Sequence, residues 1–346
     1  FLSSFLIVIL FLEIFTRLFY PQNLQKYWTE QEKKYGLEVN KKNYFHKLHR
    51  FKNNSASYTF GKFNNRNTLK NNNLNNLNKI LVLGDSFAFG YLVEDEKTFV
   101  HKLQLDNLNY NFINVSVGAW GTSQYTLFTE LNCKEIQPKK IFVILNTDDA
   151  FRGYNSGLFK LTNDGELKNR KVVDRKLNEE TDFEKNIPLY KFLKSNSHLF
   201  MLLRNVIYDL KVKPTYNPWS KDRYWPRPNS NFDNKISEDV KNFNFKIFLR
   251  LNEISKKCKS ELIIFYSNWA TPSMMKNSNP NKLFLENAEN FFKKNDIKYF
   301  KNYSEMKNLY NNPMKYIIDI DFHPNSKGAE LIYNSLKDNV AKVLKD

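Results

Sequence analysis

A serine hydroxyl becomes a nucleophile only when a neighbouring base takes its proton. Ser86, in Gly84-Asp85-Ser86-Phe87, has a suitable base in His323, in Asp321-Phe322-His323-Pro324-Asn325-Ser326-Lys327-Gly328. An imidazole in that role needs a carboxylate to orient it and to stabilise the imidazolium. Asp321, two residues earlier on the same loop, can fold back toward the ring, and Asp319 is the alternative. Acyl chemistry also needs donors aimed at the developing oxyanion. The N–H of Ser86, opening a helix, is one candidate. The N–H of Gly118, in Val117-Gly118-Ala119-Trp120-Gly121, is another, because a residue without a side chain lets a substrate oxygen come close. A third would be a side-chain amide from Asn146-Thr147-Asp148-Asp149. The remaining histidines, His46, His49, His101 and His198, lack ligand-like spacing with cysteines or carboxylates. No metal and no cofactor is therefore expected.

These groups meet only if the elements carrying them converge. Continuous apolar runs predict strands buried on both faces at Lys79 to Leu83, Asn111 to Val117, Ile141 to Leu145, Glu261 to Tyr266 and Ile297 to Phe300. Helical patterns lie between or after them: Glu96 to Leu108, Ser123 to Ile136 with Thr122 or Ser123 as N-cap, Ile236 to Lys257, Lys282 to Lys294 and Ser326 to Leu344. Alternating strands and helices mean βαβ units and a parallel sheet. In such sheets ligands bind at the carboxyl ends of the strands, where Ser86, Gly118 and Asn146 to Asp149 fall. The alternation breaks over residues 150–235. That stretch reads as an insertion, with a helix at Ile187 to Leu210 and a Pro/Trp-rich loop at Pro214 to Asn229. Its Trp219, Tyr224 and Trp225 either pack the insertion or face a sugar or lipid.

Of 346 residues, 16% are aromatic, including 30 Phe and 19 Tyr, which excludes wholesale disorder. A mean hydropathy of −0.60 excludes a polytopic membrane protein. Two cysteines, Cys133 and Cys258, allow one bridge at most and exclude a disulfide scaffold. The net charge of +17 comes largely from Lys scattered through Asn-rich stretches such as residues 70–79, with no nucleic-acid-binding motif beside it, so no nucleic-acid partner is expected. Residues 1–19, FLSSFLIVILFLEIFTRLF, read as an amino-terminal transmembrane helix that extends upstream. No small-residue cleavage site follows, so a retained anchor is expected. Arg17, Lys26, Lys33 and Lys34 bear on its orientation without fixing it. Residues 20–78 read as a polar connector, and 79–346 as the catalytic domain.

At residues 79–99, KILVLGDSFAFGYLVEDEKTF, the sequence resembles block I of the SGNH (GDSL-type) hydrolase superfamily. The stretch around Gly118 resembles block II, and DFHPNSKG at 321–328 resembles block V. The resemblance implies a flavodoxin-like three-layer α/β/α fold with a five-stranded parallel sheet. It implies a serine esterase or O-acyltransferase, with Ser86 as nucleophile, His323 as base and an acyl-glycan or similar ester as substrate. The Asp-x-His spacing is similar to the membrane-associated acetyltransferase-like branch, whose relatives face the periplasm or cell exterior. One block departs. The family's amide-bearing Asn falls on Asp148, and an ionised carboxylate cannot donate to an oxyanion. Asn146 from two residues earlier, a protonated Asp148, or a weak or lapsed enzyme that binds carbohydrate are the alternatives.

Overall fold

Leu2–Phe19 forms helix α1. The computed structural model describes residues 2–22, 24, 28–51, 54–67, 77–162, 164–172, 189–211, 234–267, 280–301, 309, 312–318 and 323–345. Two antiparallel pairs follow α1: β1 (Thr29–Gln31) with β2 (Glu38–Asn40), and β3 (Phe45–Phe51) with β4 (Asn54–Thr59). The chain continues through β5 (Asn78–Gly84), α2 (Ser86–Phe89), α3 (Phe99–Asp106), β6 (Tyr110–Asn114), α4 (Thr122–Ile136) and β7 (Lys140–Leu145). Next come α5 (Asp149–Asn155), the hairpin β8 (Phe159–Leu161) and β9 (Leu167–Asn169), α6 (Tyr190–Asn196) and α7 (His198–Lys211). It closes with α8 (Asn234–Lys257), β10 (Glu261–Tyr266), α9 (Lys282–Lys294), β11 (Lys298–Lys301), α10 (Pro313–Tyr316) and α11 (Ser326–Lys345).

The main sheet runs β6-β5-β7-β10-β11, all parallel, the flavodoxin-like order. Successive strand residues face opposite sides. Ile80 and Val82 therefore meet Phe99, Leu103, Ile332 and Leu336 from α3 and α11. Leu81 and Leu83 meet Phe128, Phe248, Leu251 and Phe284 from α4, α8 and α9. This gives the expected three layers. Because β5 lies inside the sheet, the chain turns to one side for β6 and to the other for β7. The crevice at that reversal opens directly beyond Gly84.

Three sequence expectations are corrected. First, the amino-terminal segment expected to span a membrane forms α1. Among the described residues no helix is long and apolar enough to cross a membrane. Glu13 and Arg17 interrupt the run, and both are bonded to the insertion. Second, the helix expected over Ile187 to Leu210 starts at Tyr190 among the described residues and is broken at Ser197. Ser197 is extended, and its Oγ caps the next turn by accepting the Phe200 N–H at 3.0 Å. Third, residues 20–78 are more than a connector. Trp28, Tyr58 and Phe60 pack around Phe89, which follows the Ser86 turn. Smaller shifts also occur: α4 takes Gly121 rather than Thr122 or Ser123 as its N-cap position, and α3 begins at Phe99 after a tight turn at Asp95–Lys97, capped by Thr98. The loop Pro214 to Asn229, with Trp219, Tyr224 and Trp225, lies outside the described residues.

His46 is 6% exposed in the aromatic cluster. Burial holds its imidazole below the ordinary range; a backbone bond at Leu48 opposes this and Lys41 adds to it. The unfolded chain therefore binds this proton more readily than the folded one, and stability must fall as pH drops below about 6.5. In urea unfolding, His46→Phe should remove a pH dependence of at most about 1.4 kcal/mol per unit below that point.

Cys133 on α4 and Cys258, one residue past α8, form a disulfide with Cα atoms 6.1 Å apart. The residues lie 125 apart in sequence, and the bond ties two helices of the same layer.

Candidate active site

The turn from β5 into α2 is made by its residue types. A Cβ on Gly84 would lie 2.4 Å from that of Ala88, so only glycine allows α2 to fold back this sharply. Asp85 is the N-cap, its Oδ1 accepting the Phe87 N–H at 2.9 Å. Ser86 opens the helix and is 7% exposed. Gly90 ends it in the left-handed region, at φ 79°.

The segment after this turn is held from outside the main sheet. The Arg66 guanidinium is buried and bonds Asp95 Oδ1 at 2.6 Å and the carbonyls of Phe89 at 2.6 Å, Gly90 at 2.7 Å and Val93. It also lies over the Tyr58 ring, 4.6 Å from its centroid. From β4, the Tyr58 hydroxyl accepts the Leu92 N–H at 3.0 Å, while Ser57 bonds Glu94. Tyr91 is thereby set with its ring 4.7 Å from that of His323.

His323 comes from the loop before α11. Its carbonyl accepts the Ile318 N–H at 2.7 Å. Asn325 pins the loop: its Nδ2 donates to the carbonyls of Lys315 and Ile317, and its Oδ1 accepts the N–H groups of Lys327 and Gly328. The Phe87 ring meets the imidazole edge-on at 5.3 Å. In this position His323 Nε2 lies 2.7 Å from Ser86 Oγ. The hydroxyl can donate to that nitrogen when it carries the lone pair, the arrangement a general base requires. The two residues expected to meet thus do so across 237 positions of sequence. Asp321 and Asp319 lie outside the described residues.

Beyond β6 the chain stays beside β5, with Val115 N–H bonded to Val82 O and Val117 N–H to Gly84 O. This carries Gly118 to the Ser86 turn. It is exposed, and a methyl on its Cα would come within 3.9 Å of Ser86 Cβ. Asn146 is buried, with its Nδ2 directed at Asp85 Oδ2 at 3.4 Å and its Oδ1 accepting the Thr147 N–H. Asp148 lies 3.9 Å from Arg152 Nη2. Burial lifts the Asp148 carboxyl above its ordinary range, Arg152 opposes this and Asp85 adds to it.

Sequence reasoning missed the cation behind the site. Arg152 Nη1 bonds Asp85 Oδ2 at 2.8 Å and lies 3.6 Å from Asp149 Oδ1. Asp149 is fully buried; its Oδ2 accepts the Asn146 N–H at 2.7 Å and the Tyr125 hydroxyl at 2.8 Å. Burial first, then Asp85, pushes its carboxyl well above the usual carboxylate range, with Arg152 working against them. One signal was available: Asp148 and Asp149 precede Arg152 by four and three residues, one helical turn.

No protein-family model matches the sequence, and comparison with curated proteins finds no match. Among solved structures, the chain is similar to the psychrotrophic esterase EstA from Pseudoalteromonas sp., at 13% identity and a TM-score of 0.45, over 78% of this chain and 100% of that one. A member of the lipolytic protein G-D-S-L family from Veillonella parvula is similar at 14% identity and a TM-score of 0.41, over 75% and 96% of the two chains. A two-domain esterase active on acetylated mannans gives 9% identity and a TM-score of 0.39, over 78% of this chain and 50% of that one. The fold itself rests on the strand order and crossovers described above.

Proposed function

We propose that this protein is a serine ester hydrolase, or a related O-acyltransferase, acting on an acylated glycan or similar ester. The observation that carries the reading is the 2.7 Å approach of His323 Nε2 to Ser86 Oγ at the reversal point of the sheet. Ser86 Oγ attacks the acyl carbonyl as His323 takes its proton. The oxyanion is received by the N–H groups of Ser86 and Gly118. Collapse of the tetrahedral species expels the alcohol, which takes the proton from His323, and leaves an acyl-enzyme. Water or a sugar hydroxyl then resolves it, with His323 again as base. Asp321 is assigned as the residue orienting His323. A fluorophosphonate probe should label the wild-type protein at Ser86; equal labelling of Ser86→Ala overturns the assignment.

Asp148 favours a second reading, a carbohydrate-binding protein that has lost turnover. In the catalytic reading, Asp148→Asn restores the amide and should raise kcat/KM on p-nitrophenyl acetate, by as much as the ~10²-fold that one such donor is worth. The non-catalytic reading expects no turnover from either protein, and glycan binding unchanged by His323→Ala.

The domain is proposed to work at a membrane, outside the cytoplasm. The Cys133–Cys258 disulfide supports this location, since such bonds persist in oxidising compartments.

A further inference from the structure

Every residue from Phe5 to Leu12 in α1 is at least 40% exposed, and all eight are apolar. Helix residues advance about 100° each, so eight in succession cover every side of the helix. A protein partner covers one face; exposure on all sides matches a medium that surrounds the helix. The two ionisable side chains of α1 are turned back onto the protein. Glu13 accepts the N–H groups of His198 at 3.0 Å and Leu199 at 2.9 Å and the Ser197 hydroxyl at 2.7 Å. Arg17 donates to Asn196 O at 2.9 Å and to Glu13. One helix therefore caps the other: Glu13 of α1 satisfies the first N–H groups of α7.

On α7, Met201 is buried, while Leu203, Val206 and Ile207 are 54%, 47% and 52% exposed. Their i, i+3, i+4 spacing puts them on one stripe. Phe192 of α6 is 61% exposed nearby in sequence. By sequence, α1, α6 and α7 carry Arg17, Lys191, Lys194, Arg204 and Lys211 against Glu13 and Asp209, a net positive charge, and Glu13 is internally bonded.

We infer that α1 and α7 form a single lipid-docking unit whose partner is a bilayer bearing anionic headgroups. The apolar surface of α1 enters the acyl region. The α7 stripe lies at the boundary, and the cations meet phosphates. The insertion is thus fixed to the membrane through Glu13. This inference rests on the membrane part of the proposed function and is independent of the ester chemistry.

The test is flotation of the full chain with vesicles of phosphatidylcholine alone or mixed with phosphatidylglycerol. The wild type should float with both, about tenfold more tightly with the anionic mixture, and that gap should close at high salt. Leu203→Gln/Val206→Gln/Ile207→Gln leaves α1 intact and should weaken binding by about tenfold or more, with p-nitrophenyl acetate turnover and the melting temperature unchanged. Three results overturn the inference: no flotation of the wild type, equal flotation of the triple variant, or a lipid-free dimer split by the same substitutions. Flotation as expected with no ester turnover in either protein would support the inference while removing the esterase reading.

Discussion

Ser86→Ala should lower p-nitrophenyl acetate turnover by about 10⁴-fold or more while leaving the unfolding midpoint unchanged. Removing a nucleophile that acts with its base forfeits the contribution of the whole set, not a fraction of it. Removing Oγ also takes away one partner of the 2.7 Å contact with His323. Stability should not follow, because the turn is built by Gly84, Asp85 and Gly90 rather than by the hydroxyl. His323→Ala should fall to the same floor, and the double variant should fall no further. An additive loss in the double variant would mean that the two groups act separately.

Arg66→Met should cost about 3–5 kcal/mol in urea unfolding, the range for removing one partner of a buried charge pair. The guanidinium satisfies Asp95 and three carbonyls at once. A thioether of similar reach fills the space but leaves those four acceptors without it. The loss should show in kcat as well, because the segment Arg66 holds carries Tyr91 beside His323. A loss below about 1 kcal/mol would mean that water replaces the guanidinium.

β5, β7 and β10 were legible because each is buried on both faces, which writes an uninterrupted apolar run into the sequence; the edge strands β6 and β11 are only partly buried, and their runs are broken by Asn111, Asn114 and Lys298. Ser86, Gly118 and His323 were legible for a related reason: each follows a readable strand or precedes a readable helix. Arg66 was not. Its neighbours Asn64, Asn65 and Asn67 look like loop, and a buried arginine is marked only by partners 23 to 29 residues away. The aromatic cluster was hidden in the same way. Trp28, Tyr58 and Phe60 are single apolar residues in or beside short, polar strands, and the residue they cover, Phe89, belongs to another element. The break at Ser197 falls in five consecutive polar residues, Lys194 to His198, between two apolar stretches, but the carboxylate that receives the new helix start, Glu13, lies far upstream.

The disulfide joins α4 near its carboxyl end to the chain just after α8, and both points precede strands, β7 and β10. It therefore fastens the rim of the sheet opposite the one that carries Ser86. Diversification at the catalytic rim, by exchange of loops or by selection for a new ester, can proceed without redesigning the covalent fastening. Conversely, a reductant is expected to loosen the scaffold from its far side, so that loss of activity under reducing conditions would report unfolding rather than damage to the chemistry.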